Sequence, residues 1–254
     1  MENIIPIVRV LVGSKAHGLD DPDSDSDYRS VYALPTEKIL SLNFKYKGST
    51  WLEGDSEDNT AWEIGHFLSL AQQNNPTILE VFFAPKDRTV EESVAGAYFS
   101  KKLGELFPYI FHPVKAFNAF CGYGKNQQKK FLDKKDNRPH KYAAAHIRTL
   151  YNLIELLKTG TMTIRVGDKP DIGPTLKRIK HGEYRMGEIV DLTHSLELEA
   201  QSILDLKRIT TEIKNLMNDK TENEIDIFSK FPEEVCYEKV NDFLLEVREA
   251  FWNV

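Results

Sequence analysis

Two short groups of residues could bind nucleotide phosphates and metal ions. Gly13-Ser14 follows an apolar run, and the pair Asp25-x-Asp27 comes ten residues later. If both aspartates open a strand, their carboxylates point to one face with Cα atoms about 6.5 to 7 Å apart. Paired carboxylates need a cation, and hard oxygen ligands select Mg²⁺ or Mn²⁺ over zinc. Paired ions stabilise the attacking and leaving oxygens of phosphoryl transfer, so the spacing favours that chemistry.

The Gly13-Ser14 pair supplies groups suited to a triphosphate. A glycine at the end of a strand lets backbone N–H groups approach phosphates closely, and a small hydroxyl adds a donor. The alternatives fail, because the chain has no Gly-x4-Gly-Lys-Ser/Thr loop. A calcium-binding EF-hand loop that begins at Asp23 would need glycine and glutamate where the chain has Tyr28 and Leu34.

Charge is unevenly distributed along the chain. The formal net charge is -6, which taken alone argues against a nucleic-acid partner. Five of the 39 acidic residues lie within positions 20–27, however, and the sign reverses between Lys125 and Lys141. That stretch holds seven basic residues, namely Lys125, Lys129, Lys130, Lys134, Lys135, Arg138 and Lys141. The acidic total therefore does not exclude a polyanionic partner.

The pattern of apolar residues predicts a mixed α/β domain followed by a helical one. β-Branched runs and turn signals predict strands over residues 4–12 and 25–34, with weaker candidates at 50–53, 60–63 and 161–166. Helical periodicity starts at Ile64 and stops before Pro76. Further helices are predicted over 94–107, 114–132, 143–157, 196–217 and 235–251. The economical division is residues 1–105 and 106–254.

The motifs together resemble the DNA polymerase beta type nucleotidyltransferase superfamily. Gly13-Ser14, ten residues, Asp25-x-Asp27 is similar to its signature. The segments at 13–19 and 25–29, with Asn75-Pro76-x-x-Leu79-Glu80, are similar to stand-alone bacterial and phage nucleotidyltransferases, some of them associated with RNA ligases and RNA repair. The resemblance covers residues 7–85 well and the helical half loosely. It implies a nucleotidyltransferase-type mixed sheet domain that transfers an NMP from an NTP to an acceptor hydroxyl and releases pyrophosphate.

The resemblance also implies roles for individual residues. Asp25 and Asp27 would hold the metals, and a third carboxylate is expected on a neighbouring strand. Asp58 is favoured there because it lies five residues before Glu63 and the following helix. Glu63 is the alternative, because it lies between the apolar residues Trp62 and Ile64, the usual flanking of the third acid. On a strand the two face opposite sides, so at most one of them would serve. The nucleotide would be bound by Gly13, Ser14, Lys15, His17, Lys141 and Arg148.

Several expectations concern partners and location. No window approaches 18 uninterrupted apolar residues, and the start lacks the basic region and long apolar core of a signal peptide, so we expect a cytoplasmic enzyme without a membrane partner. The clustered lysines favour an RNA end, of tRNA type, as the acceptor. Transfer to a protein, as in antitoxin-like members of the superfamily, or to a small molecule stays open. A non-catalytic nucleotide- or RNA-binding module is the remaining alternative.

Overall fold

The N-terminal apolar run forms the first strand of a three-stranded sheet. In the computed structural model, which describes residues 4–42, 44, 60–86, 94–134, 137–217 and 235–252, the strands are β1 (Ile5–Val12), β2 (Asp27–Ala33) and β3 (Thr60–Glu63). β1 is rich in β-branched residues and buries most of them in the core. The strand order is β1-β2-β3, with β1 antiparallel to β2 and β2 parallel to β3. The predicted mixed sheet is confirmed, and the candidate strand at 50–53 lies outside the described residues.

The register brings the end of β1 beside the beginning of β2. Val12 pairs with Asp27, and the chain then turns into helix α1 (Gly13–His17). The sequence predicted that the second strand begins at Asp25, whereas β2 begins two residues later because its partner β1 ends at Val12. In the parallel ladder each pair joins residues 31 positions apart, from Arg29 with Thr60 to Tyr32 with Glu63.

Helices form most of the rest of the described chain. They are α2 (Thr36–Ile39), α3 (Ile64–Ala71), α4 (Pro76–Leu79), α5 (Val94–Glu105), α6 (Phe107–Ile110), α7 (Pro113–Leu132), α8 (Pro139–Thr159), α9 (Gly173–Lys180), α10 (Met186–Met217) and α11 (Tyr237–Ala250). All five predicted helices after residue 90 are confirmed, although three of them begin earlier than predicted. Proline at the first turn starts α8, where a missing N–H does no harm, and Gly160 in the left-handed region ends it.

The contacts divide the chain into two units. The first is Met1–Phe111 with Pro232–Val254, and the second is His112–Phe231. The sequence analysis assigned 232–254 to the helical domain, whereas α11 packs against α3, α5 and α6 of the first unit. It does so because Phe243 and its apolar neighbours on α11 are buried, with the Phe243 ring centroid 6.2 Å from that of Phe99. The first unit is therefore assembled from two separate segments of the chain.

Helices α7 to α10 build the second unit around the buried face of α8. His146 on α8 packs against Gly124 of α7 so closely that a Cβ at Gly124 would lie 2.5 Å from the imidazole. Its Nε2 lies 4.0 Å from a carboxylate oxygen of Glu197. Burial nevertheless dominates and lowers the pKa of His146 to about 4. This histidine is therefore neutral at physiological pH.

The prediction of a strand at 161–166 is wrong. Residues 161–165 belong to no helix or strand, and Val166–Asp168 is a 3₁₀ helix. The carboxylate of Glu155 on α8 accepts hydrogen bonds of 2.6 Å from both the backbone N–H and the hydroxyl of Thr163. A side chain of α8 thus satisfies the N–H that a neighbouring strand would otherwise have to pair.

Candidate functional site

The predicted phosphate-binding turn begins with a glycine that no other residue could replace without strain. Gly13 has a φ of 71°, in the left-handed region. An added Cβ would lie 1.9 Å from Oδ2 of Asp27. The Asp27 carboxylate therefore sits directly against the Cα of Gly13. The two motifs that the sequence separates by ten residues are in contact in the fold.

Asp25 and Asp27 differ in their surroundings. Asp27 is half-buried at the start of β2, whereas Asp25 is exposed and precedes the strand. Ser26, between them, accepts a hydrogen bond of 3.1 Å from Nζ of Lys15. Lys15 thus links α1 to the segment that carries both aspartates. Ser14, half-buried, is the second residue of the same short helix.

Glu80 joins this turn to β2 through a buried network. One of its carboxylate oxygens lies 2.5 Å from Nε2 of His17, and the other accepts a hydrogen bond from the guanidinium of Arg29. Arg29 also donates to the carbonyl oxygen of Thr77, at 3.0 Å. His17 and Glu80 are both buried. The described contacts of His17 therefore position α1, and a direct contact of His17 with phosphate stays a prediction.

The motif Asn75-Pro76-x-x-Leu79-Glu80 explains how Glu80 reaches this place. Asn75 caps α4 by accepting from the backbone N–H of Thr77 at 3.0 Å, and Pro76 occupies the first turn. Glu80 follows immediately as the first residue of a 3₁₀ helix. The cap thus fixes both acceptors of Arg29, the Thr77 carbonyl and the Glu80 carboxylate.

Glu63, the alternative third acid, is held by an arginine from the far end of the sequence. Arg248 on α11 binds both of its carboxylate oxygens, at 2.5 and 2.9 Å. The same carboxylate caps α3 by accepting from the N–H of Gly65 at 2.7 Å. In the ladder Glu63 pairs with Tyr32, which is five positions after Asp27 on β2. Because successive residues of a strand face opposite sides, Glu63 lies on the opposite face of the sheet from Asp27. These contacts are those of a structural ion pair and helix cap.

The remaining predicted site residues lie elsewhere. Asp58 is outside the described residues, so its role stays a prediction. Within the described ranges, no group of three or more histidine, cysteine, aspartate or glutamate side chains could hold a metal ion. Lys141 is exposed and Arg148 half-buried, both on α8 of the second unit. Their contact with a nucleotide stays a prediction too.

Sequence reasoning missed Arg248 altogether. Nothing local marks it, since its partner lies 185 positions away. Arg29 and Glu80 carried a signal, because both belong to motifs that the resemblance singled out. Their pairing across 51 positions could not be read from the spacing.

Comparison with known proteins agrees with the class that the turn and the aspartate strand indicate, a polymerase beta-type nucleotidyltransferase. The model of the family described as RlaP, RNA repair pathway DNA polymerase beta family, matches residues 3–244. The chain belongs to this family.

One curated relative is a phage protein. The "uncharacterized 38.9 kDa protein in nrdC-mobD intergenic region" of Enterobacteria phage T4 is 27% identical over 95 residues, which is 35% of this chain. The match spans only 28% of the phage protein. No solved structure matches the chain. Among the helices that the structure describes, none has the length and apolar character needed to span a membrane.

Proposed function

We propose that the protein is a metal-dependent nucleotidyltransferase that transfers an NMP from an NTP to a hydroxyl at an RNA end. The observation that carries the proposal is the contact between Gly13 and the Asp27 carboxylate. It brings the turn that we expect to bind phosphate next to an aspartate that we expect to bind metal, and a nucleotidyltransferase needs both at one place.

The donor set of the site fits a hard divalent cation. Asp25 and Asp27 offer only oxygen ligands, and the absent side chain of Gly13 leaves room for the Asp27 carboxylate. These two aspartates would hold Mg²⁺ or Mn²⁺, which supplies charge neutralisation for the triphosphate and the departing pyrophosphate when bound. Gly13, Ser14 and Lys15 would bind the phosphates from the turn.

Asp58 is our candidate for the third carboxylate. It lies five residues before Glu63 and the helix that follows. The rival Glu63 already has both carboxylate oxygens engaged by Arg248. We propose that Asp58 accepts the proton of the acceptor hydroxyl.

The transfer is then an in-line displacement at phosphorus. The acceptor oxygen attacks the α-phosphorus of the NTP and forms a new P–O bond. The bond from the α-phosphorus to the oxygen that bridges to the β-phosphorus breaks, and pyrophosphate leaves with the electron pair. The protein contributes position and electrostatics, with no covalent enzyme intermediate.

The test is transfer of label from α-³²P-NTPs to RNA in the presence of Mg²⁺ or Mn²⁺. Asp25→Asn and Asp27→Asn should each lower transfer by more than about a hundredfold, because even outer-shell metal partners account for about 10- to 100-fold. Asp23→Asn is the matched control, since Asp23 is an exposed aspartate of the same segment. Retained transfer in Asp25→Asn would overturn the proposal.

Two further arms address the third acid and the acceptor. Asp58→Asn should abolish transfer, whereas Glu63→Gln should lower stability and leave measurable transfer. RNA with a blocked 3′ end should acquire no label if the terminal hydroxyl is the acceptor. If a protein from a panel or an aminoglycoside becomes labelled and RNA does not, the acceptor is a protein or a small molecule and not RNA.

A further inference from the structure

Three helix ends of the second unit meet at His140. The Phe131 ring near the end of α7 has its centroid 6.0 Å from that of the His140 imidazole, at the start of α8. Gly182 follows α9 with a φ of 79°, and a Cβ there would lie 3.2 Å from the same imidazole. The end of α7, the start of α8 and the end of α9 therefore form one continuous surface.

This surface gathers positive charge from two separate stretches of the sequence. The first is the basic stretch that the sequence already shows before α8, and the second is α9 with the turn that follows it. Over 129–134, 137–141 and 177–188 the described residues include nine lysines and arginines against three acids, Asp133, Glu183 and Glu188. The nine are Lys129, Lys130, Lys134, Arg138, Lys141, Lys177, Arg178, Lys180 and Arg185. We name this set the basic end.

Much of this charge is not neutralised by the residues that the structure describes. Glu183 is engaged by Arg178 at 2.8 Å. Five exposed cations of the basic end form no ion pair with any described residue, and these are Lys129, Lys134, Arg138, Lys141 and Lys177. In a chain with a net charge of -6, such a concentration of cations on adjoining helix ends points to a polyanionic partner.

We propose that the basic end binds the phosphate backbone of the RNA that serves as acceptor. The proposal rests on the proposed function for the identity of the RNA as substrate. Nine cations spread over three helix ends exceed what one nucleoside triphosphate requires, and they suit a chain of phosphates. Two half-buried tyrosines lie among them, with Lys130 5.2 Å from the ring centroid of Tyr142 and Arg178 5.2 Å from that of Tyr184. Aromatic faces beside cations are used by proteins that hold single-stranded RNA.

The test is direct binding of a fluorescein-labelled single-stranded RNA to the full chain, without NTP or divalent metal, across a range of salt concentrations. The variant Lys129→Ala/Arg138→Ala/Lys177→Ala removes one exposed cation from each of the three helix ends. Its affinity should fall at least about tenfold, and the slope of log K against log salt should become shallower by about 2, since each phosphate contact on a single strand contributes about 0.7.

A second triple variant controls for total charge. Lys101→Ala/Lys158→Ala/Lys239→Ala removes three exposed lysines outside the basic end and should leave the affinity within about twofold of wild type. Equal RNA binding by the two triple variants, with both folded by circular dichroism, would overturn the proposal. Displacement of RNA by polyglutamate at equal charge concentration would also overturn it, since the partner class would then be an acidic protein.

Failure of the proposed RNA-binding surface can be distinguished from failure of the proposed function. If Asp25→Asn and the wild type bind RNA equally through the basic end but no NTP transfers its NMP, the surface stands and the proposed function falls. If transfer to RNA occurs and the basic-end variant binds and reacts as wild type does, the function stands and the surface falls.

Discussion

Replacing Gly13 by alanine should destabilise the first unit because the new Cβ would overlap the Asp27 carboxylate. At 1.9 Å, the Cβ to Oδ2 distance is about 1.5 Å shorter than an ordinary carbon–oxygen contact. The left-handed φ of 71° adds strain of about 1–2 kcal/mol for any residue with a Cβ. Relief of the overlap adds about 1–3 kcal/mol, as in other overpacked sites. We therefore expect a loss of about 2–5 kcal/mol in the free energy of unfolding.

The two contributions can be separated in a double-mutant cycle with Asp27→Ala. Without the Asp27 carboxylate, the nearest remaining atom of residue 27 is its Cβ, 3.1 Å from the new Cβ, so the change from Gly13 to alanine should lose mainly the backbone term of about 1–2 kcal/mol. Urea denaturation followed by tryptophan fluorescence is the assay, because Trp62 and Trp252 both lie in the first unit. Gly13→Ala should also lower nucleotide transfer strongly, since it displaces the carboxylate that we propose as a metal ligand.

The same cycle can also refute the contact between Gly13 and the Asp27 carboxylate. If Gly13→Ala has the same effect in both backgrounds within about 0.5 kcal/mol, the two sites are independent. The Asp27 carboxylate would then not lie against the turn, and the contact that carries the proposed function would be lost with it.

Three further predictions concern buried polar groups. Glu80→Ala should destabilise the first unit by about 3–5 kcal/mol, because it leaves the half-buried Arg29 without its carboxylate. Glu80→Gln should recover part of that loss, because an amide oxygen can still accept a hydrogen bond. Urea midpoints measure both variants, and equal losses would contradict a role for hydrogen bonding. Glu63→Ala and Arg248→Ala should each lower the free energy of unfolding of the first unit. The loss in the double variant should be smaller than the sum of the two single losses, by more than about 1 kcal/mol. Additive losses would disprove the ion pair. The pKa of His146 is about 4 in the folded protein and about 6.5 in the unfolded chain. The unfolded chain therefore takes up a proton first as the pH drops. Stability should fall between pH 6.5 and pH 4, by up to about 3 kcal/mol. Thermal unfolding followed by circular dichroism should show this fall in the wild type and a flatter profile in His146→Leu, and equal profiles would contradict it.

The local parts of the site could be predicted from the sequence, because local spacing determines them. The turn at Gly13 and the strand that begins at Asp27 follow from an apolar run, a glycine and alternating β-formers. The strand predicted at 161–166 failed because Glu155 satisfies Thr163 from a helix, and periodicity does not register a side-chain partner of that kind.

The long-range parts could not be predicted, because one sequence does not record which distant residues pair. The contacts of Glu80 with His17 and Arg29 join positions 63 and 51 apart, and that of Glu63 with Arg248 joins positions 185 apart. The same reason explains the misplaced segment 232–254. An amphipathic helix can be predicted from the helical spacing of its apolar residues, whereas the surface that it packs against belongs to a remote part of the chain.

The split of the first unit into two segments has a consequence for the order of events during synthesis. The ribosome releases β1 to β3 early, yet Arg248 emerges only after the whole second unit has been made. Until then Glu63 has no guanidinium beside it, and the apolar face that α11 covers stays open. The sheet that carries Asp27 therefore reaches its final stability only when α11 docks, and a chain that stalls before Tyr237 should remain a substrate for proteases or chaperones.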